Sequence, residues 1–321
     1  MNIRISRRQA LLAVPALAAP AYAQDFPTRP VKLLVPFAAG GPMDLVARLV
    51  APGAAAVLGQ QVIVENRTGG TGAIAMGEVA RAAPDGYTLM FTGASWPVVP
   101  LLTRNLPFRM ADFAPLTRLT IAPHVMVVPS QLPVRSLAEF IGEAKKRPGE
   151  WSYGTSGIGT TLHLGSEMLK MRAGIDLVHV PYRGNAPAIT DLLAGRLQTM
   201  FPTLAEAMPY IRDDRMRPLA VGYTQRVEWL PEVPTLAELG FGDVPASSDF
   251  GVATGVEVPA AVREKLTAAF RAAVRQPAIG ARLRDLGIIV VASTAAEFAA
   301  MVTEEGARYA EVIRVANVPQ N

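Results

Sequence analysis

The chain contains no cysteine. Disulfides and thiolate metal sites are therefore excluded, and apolar cores alone must hold the fold. Histidine is scarce too, with only His124, His163 and His179. They lie far apart, and no Asp, Glu or His at ligand spacing joins them, so no metal site is expected. No apolar run beyond the N-terminal segment approaches the roughly 20 residues that span a bilayer, and a soluble mature chain is expected. Charge of one sign is also nearly missing. The formal net charge is +4, but three arginines, Arg4, Arg7 and Arg8, sit in an N-terminal segment without acids. Thirty-one basic residues less those three leaves 28 against 27 Asp plus Glu. The longest basic run, Lys145-Lys146-Arg147, ends a helical stretch before Pro148. Nucleic-acid binding needs a clustered basic face, so no nucleic-acid partner is expected.

The N-terminus reads as an export address. The three arginines form a basic head, Ala10 to Ala19 is apolar, and Ala21-Tyr22-Ala23 has the small-x-small pattern of a cleavage site. Residues 1–23 are thus expected to be a signal peptide and Gln24 the first mature residue. A membrane anchor is the competing interpretation, and the apolar stretch is too short for it. Ser6-Arg7-Arg8-Gln9-Ala10-Leu11 also resembles a twin-arginine signal, which leaves both export routes open. No cysteine flanks the cleavage site, so no lipid anchor is expected there.

Beyond the signal, strand-length apolar runs alternate with helix-period stretches. Strands are expected at Val31 to Pro36, Gln61 to Glu65, Tyr87 to Thr92, Val125 to Val128, Trp151 to Gly154, Asp176 to Val180, Leu197 to Phe201, Leu219 to Val221 and Ile288 to Val291. Helices are expected from Met43, over Ala73 to Ala82, Leu137 to Lys146, from about Thr160, and over Ala186 to Ala194. The tail adds Ala260 to Leu286, interrupted at Pro277, and Ala295 to Ile313. Ser136 and Glu139 stand at capping-box spacing before the third of these helices. Such alternation predicts α/β architecture, two doubly wound domains with parallel sheets covered by helices. There is no low-complexity linker. The chain is therefore expected to cross between domains within ordered segments near 121–128 and 247–253. Domain I would combine 24–124 with 248–321, domain II would be 125–247, and a hinged cleft would lie between them.

Four segments place polar groups just beyond strand ends, the edge at which open α/β sheets bind ligands. Pro36-Phe37-Ala38-Ala39-Gly40-Gly41-Pro42-Met43-Asp44 turns on two glycines into a helix start. The free N–H groups there suit a carboxylate or phosphate, and Asp44 could cap the helix or orient a bound amine or water. Phe37, Ala38, Gly40, Gly41 and Asp44 are ligand candidates, against a plain strand–helix turn. Tyr153-Gly154-Thr155-Ser156-Gly157-Ile158-Gly159-Thr160-Thr161-Leu162-His163 repeats the plan with four hydroxyls in seven residues. Thr155, Ser156, Gly157, Gly159, Thr160 and Thr161 could bind an oxyanion without a buried cation. His163 is either a structural histidine or a support of this loop. Thr92 and Ser95 could line the cleft wall, or form a turn with Trp96 packed beneath. Arg183 and Gly184, after His179-Val180-Pro181-Tyr182, could add a charge partner, although such an arginine is more often solvated.

Reaction machinery is missing from these loops. No Lys follows the last Gly, so the second loop is not a P-loop. Thr155-Ser156-Gly157 lacks the leading Gly of a nucleophile elbow. No carboxylate pair or Ser–His–acid spacing stands out, though a triad assembled in space is not visible in sequence. No cofactor and no enzymatic activity are expected.

Several strings in register resemble the Bug family, the periplasmic receptors associated with tripartite tricarboxylate transporters. They are Phe26-Pro27-x-Arg29-Pro30-Val31, Pro36-Phe37-x-Ala39-Gly40-Gly41-x-x-Asp44 with Ala47-Arg48, and Val64-Glu65-Asn66-Arg67. Ala83-Pro84-Asp85-Gly86-Tyr87-Thr88-Leu89, Tyr153-Gly154-Thr155-Ser156-Gly157-x-Gly159 and His179-Val180-Pro181-Tyr182-Arg183-Gly184 follow. Leu219-Ala220-Val221 and Leu230-Pro231-x-Val233-Pro234-Thr235 complete the match over the mature chain. The resemblance implies two Venus-flytrap domains of the periplasmic binding protein type II kind, a periplasmic location and a monomer. It implies that a small carboxylate (a di- or tricarboxylate, an aromatic carboxylate or an amino acid) is gripped between the two loops. Partners would be a tripartite transporter membrane component or a sensor. Three places depart from the family pattern. Phe201-Pro202 stands where many members read Phe-Asp, Asp249-Phe250-Gly251 where a Trp is frequent, and Thr254-Gly255-Val256-Glu257-Val258-Pro259 replaces Ala-Pro-Ala-Gly-Thr-Pro. Losing the acid disfavours an amino-group ligand. A two-domain enzyme for a phosphorylated or carboxylated substrate, and the sensing half of a transcription regulator, are the competing classes.

Overall fold

In the computed structural model, which describes residues 26–319, the first strand β1 (Val31–Val35) buries Val31, Leu33, Leu34 and Val35 and leaves Lys32 exposed. Helix α1 (Pro42–Leu58) follows, with Pro42 in its first turn and Gly59 closing it in a left-handed conformation at φ 72°. Next come β2 (Val62–Asn66), α2 (Ala73–Ala80), β3 (Thr88–Thr92), the short α3 (Val99–Leu102) and the long β4 (Phe113–Pro123). The chain continues through β5 (Val125–Pro129), α4 (Leu137–Lys146), β6 (Ser152–Thr155), α5 (Thr161–Ala173), β7 (Val178–Pro181), α6 (Asn185–Leu193), β8 (Thr199–Met200), α7 (Leu204–Arg212) and β9 (Met216–Val221). It ends with β10 (Ser247–Gly255), α8 (Ala260–Val274), α9 (Pro277–Asp285), β11 (Ile289–Val290) and α10 (Ala295–Val315). The expected signal peptide lies outside the described residues.

Two sheets result. Lobe I holds the order β11-β4-β10-β3-β1-β2 and lobe II the order β7-β6-β8-β5-β9. Helices and apolar clusters cover both faces of each, as in a doubly wound fold. The sheets are mixed, however, not parallel. β1 pairs in parallel with β2 and β3, and β6 with β7 and β8. β10 runs antiparallel to β3 and β4, and β5 antiparallel to β8 and β9. The departure has a physical cause. A chain that leaves a lobe on one strand and returns on its neighbour must run the two in opposite directions.

The crossing is tightly built. His124, between β4 and β5, donates its N–H to Ala246 O at 2.9 Å, and its carbonyl accepts from Gly222 N at 2.8 Å. Its ring Nε2 meets Ser248 Oγ at 2.8 Å, joining the outgoing and returning segments. Burial pushes the His124 imidazole down to about 4, so it stays neutral at physiological pH. Beside it, Arg118 Nε on β4 donates to Asp249 Oδ1 on β10 at 2.7 Å.

Candidate functional site

Strand direction decides where the predicted loops go. β4 exits lobe I at residue 123, and β10 pairs antiparallel with both β4 and β3. The C-terminal ends of β1 and β3 therefore point toward lobe II. In lobe II, β5 enters at residue 125 and runs antiparallel to β8, which is parallel to β6. Val125 N bonds Pro202 O at 3.0 Å, so the ends of β6, β7 and β8 point back toward lobe I. The four predicted segments thus follow strand ends that face the other lobe.

In lobe I the loop from Phe37 to Gly41 is shaped by Asp44. Its carboxylate accepts from Gly40 N at 2.9 Å, from Arg48 Nε at 3.0 Å and from Asn66 Nδ2 at 2.9 Å. Asn66 Nδ2 also reaches Phe37 O at 3.0 Å. Arg48 above all, helped by the Gly40 N–H and Asn66, holds the Asp44 carboxyl down at about 2 against the opposing effect of burial. Asp44 is buried and fully engaged, so its carboxylate sets the loop's shape and is not presented to a ligand. Gly40, at φ +82° with open space where a Cβ would stand, carries the reversal. Gly41 is the N-cap of α1, and no side chain caps that helix. Ala38 and Gly40 are exposed. Beside them, Gly93 approaches Met43, with 3.0 Å from an ideal Cβ position to Sδ. Thr92 is buried and paired with Gly251, while Ser95 is half-buried and its carbonyl accepts from Val98 and Val99 N–H. Trp96 packs beneath this turn against Phe113 and Phe298.

In lobe II the structure separates the loop's hydroxyls. Thr155 is wholly buried. Its Oγ1 lies 2.7 Å from His179 Nε2 and exchanges 3.3 Å contacts with Gly157 N and O. Thr160 Oγ1 donates to Gly157 O at 2.8 Å and caps α5 through His163 N. Thr161 is buried and hydrogen-bonds the Tyr309 hydroxyl of lobe I. These three threonines therefore build the loop, and Ser156 is half-buried. His163 does support the loop: its Nδ1 accepts from Gly159 N at 3.1 Å. Beneath, the rings of His163 and His179 stack at 4.1 Å, and Tyr153 stacks on His179 at 4.9 Å. Burial and the neighbouring His163 push the His179 imidazole down to about 4, and burial lowers His163. The Tyr153 hydroxyl donates to Glu167, which Lys170 neutralises at 2.9 Å.

Gly184 N donates to Ser156 O at 3.4 Å, tying the fourth segment to the second. Arg183 is exposed and makes no ion pair among the described residues. Asn185 Nδ2 clasps Glu206, whose carboxylate also accepts from Thr203 N, so the starts of α6 and α7 are locked together. Sequence reasoning did not assign these roles to Arg48, Asn66 or Asn185. Only the i,i+4 spacing of Asp44 and Arg48 was visible. At one margin of the opening the lobes touch. An ideal Cβ on Gly159 would stand 2.3 Å from Leu102 Cδ1, and Leu164 enters a cluster with Val98, Leu102, Tyr309, Val312 and Ile313.

Replacing Thr155 by Val is expected to destabilise the ligand-free protein by about 1–3 kcal/mol in urea unfolding, because His179 Nε2 and Gly157 N lose a buried partner. Ser156→Ala should change it by less than about 0.5 kcal/mol.

Two α/β lobes joined by crossing strands, with the strand ends of each facing the other, are the architecture of a two-lobed solute-binding protein. Within that class the chain belongs to the tripartite tricarboxylate transporter family receptors, whose family model matches residues 46–318. It is 37% identical over 285 residues to a UPF0065 protein of Bordetella pertussis, covering 88% of each chain. To protein BugT of the same organism it is 31% identical over 306 residues, covering 94% of each. Among solved structures, periplasmic binding protein BugD superposes with TM-score 0.76 at 31% identity, over 92% of this chain and all of the other. R. palustris Rpa4515 with adipate gives 0.78 at 32% over 92% and 100%. MatC from Rhodopseudomonas palustris with bound malate gives 0.75 at 30% over 90% and 100%. The chain is therefore a periplasmic binding protein and not an enzyme. Among the described residues no helix is long and apolar enough to cross a membrane.

Proposed function

We propose that this receptor captures a small carboxylate in the interlobe opening. The observation that supports this reading is that two loops, Phe37–Gly41 and Ser156–Gly159, each lead into a helix N-terminus at strand ends that face the other lobe. Uncommitted N–H groups at the uncapped start of α1, with the Ser156 hydroxyl opposite, offer donors to an oxyanion without a dedicated cation. Two solved relatives hold adipate and malate, which supports the same ligand chemistry here. Lobe I would comprise 24–124 with 248–321 and lobe II 125–247. The chain would act as a monomer after export by the secretory or twin-arginine route. It would hand its ligand to a tripartite transporter membrane component or report it to a sensor.

A thermal-shift screen tests this. A small carboxylate at a hundred times its Kd should stabilise the native protein by about 2.7 kcal/mol, and neutral or cationic analogues should not. Ser156→Ala should weaken the shift without lowering the ligand-free melting temperature. An unchanged shift in that variant would remove the second loop from the site, and turnover of any ligand would favour an enzyme.

A further inference from the structure

Two imidazoles hold the loop between β6 and α5 at both of its ends. At the start, His179 Nε2 on β7 lies 2.7 Å from Thr155 Oγ1, which accepts from Gly157 N at 3.3 Å. At the end, His163 Nδ1 in the first turn of α5 accepts from Gly159 N at 3.1 Å. The two rings stack on each other, with centroids 4.1 Å apart and planes inclined by 18°. One unit, built from side chains on neighbouring elements, therefore clamps the loop.

The two contacts differ in what a proton does to them. The Thr155 hydroxyl can donate or accept, so it serves either state of His179. The Gly159 N–H can only donate, and His163 Nδ1 meets it with a lone pair. That requires the neutral Nε2–H tautomer on His163. A proton added at Nδ1 would set donor against donor, and the bond would be lost. Gly159 is also where lobe I reaches this loop, since a Cβ there would collide with Leu102 Cδ1. Losing the His163 bond would loosen the loop at the point on which the other lobe leans.

The charged groups facing the pair are Glu167 and Lys170 of α5, and the Tyr153 hydroxyl of β6 donates to Glu167. Glu167 and Lys170 pair at 2.9 Å, so they offer an incoming proton little net attraction. Burial opposes a charge on either ring, and a charge on one opposes a charge on the other.

We propose that the stacked pair is a proton-released clamp, in which His163 positions the loop Ser156–Gly159 only while its Nδ1 is unprotonated. What the loop does for a ligand rests on the carboxylate reading above. The clamp itself does not, and it is tested on the ligand-free protein.

The chain holds only three histidines, so imidazole nitrogen NMR resolves each, with His124 as an internal reference. At pH 7 His163 should show the Nε2–H tautomer. Amide exchange, corrected for the intrinsic effect of pH, follows the loop in the same protein. Between pH 7 and 4 the protection of Gly159 should fall about tenfold or more, the loss expected for one hydrogen bond. Its midpoint should coincide with proton uptake by His163, while amides later in α5 keep their protection. His163→Asn places Oδ1 near the position of Nδ1 and cannot titrate, so its Gly159 protection should stay within about twofold over that range. His163→Ala should lack that protection at every pH. Where a variant does not fold, the two titration curves of the parent decide alone. Three results would each overturn the proposal: a His163 that stays neutral to pH 4, Gly159 protection that ignores its ionisation, or acid loss in His163→Asn equal to the parent's. A clamp behaving as expected in a protein that no carboxylate stabilises would uphold the proposal and overturn the carboxylate reading.

Discussion

Replacing Glu305 by Gln is expected to make the protein several kcal/mol more stable above neutral pH and to flatten its stability profile there. Glu305 lies on α10 against the crossing strands, near Asp249 of β10 and Arg118 of β4. Arg118 is the guanidinium that bonds Asp249 here. Arg118 already donates twice to Asp249 Oδ1, while Asp249 Oδ2 is buried without a partner. The other charges facing Glu305 are Arg308 and Glu304 of its own helix. Burial first, then the Asp249 charge, push the Glu305 carboxyl up from 4.5 to about 8. Burial also raises Asp249.

The sign follows from proton counting. Between pH 4.5 and 8 the folded protein holds a proton on Glu305 that the unfolded chain has released. The associated stability is complete below 4.5 and is lost as pH rises through 8. At about 1.4 kcal/mol per unit, the loss is on the order of 3–5 kcal/mol. Gln imitates the protonated acid and carries no such dependence. Urea unfolding of both proteins between pH 5 and 9 measures this, and the difference between them cancels every other titrating group. A difference that stays constant across the range would show that Glu305 ionises as an exposed acid does.

Asp249 also shows how far the sequence could be read. It stood out as a departure from the family pattern near the return crossing. Its partner Arg118 lies 131 residues away, a pairing that no periodicity encodes. Where local chemistry decides, the reading was close. The helix Leu137–Lys146 falls where its pattern placed it, and Ser136 Oγ accepts from Glu139 N at 3.1 Å. The Glu139 carboxylate, however, returns to Arg135 N and not to Ser136. Where the third dimension decides, the reading failed. Helix α7 was not expected, because Pro202 before it and Pro209 within it argue against a helix. Thr203 and Glu206 nevertheless form a complete capping box around its start. Strands β4 and β10 are longer than their apolar segments indicated, because each is held by pairing with the other along its length. Thr155 looked like a ligand hydroxyl, but it ends an interior strand covered on both faces, and His179 waits in the neighbouring strand.

Truncating Leu164 to Ala should cost about 2–5 kcal/mol and weaken ligand capture with it. Leu164 lies one turn into α5, directly after the loop Ser156–Gly159, and is fully buried. Its partners Val98, Leu102, Tyr309, Val312 and Ile313 all belong to lobe I. A buried leucine replaced by Ala loses its transfer energy and leaves a cavity. Here the cavity would open between lobes, beside Gly159 and the Thr161–Tyr309 hydrogen bond. The loop Ser156–Gly159 is thus positioned by lobe I as well as by its own lobe. Loosening the seam should let that loop drift from the start of α1, so affinity should fall even where the variant remains folded. Leu164→Met, close in volume, should cost less than about 1.5 kcal/mol and restore binding. Urea unfolding and titration of each variant with the tightest carboxylate separate the two effects. A Leu164→Ala protein less stable by the expected amount, yet binding as the parent does, would show that the seam holds the lobes together without positioning the loop.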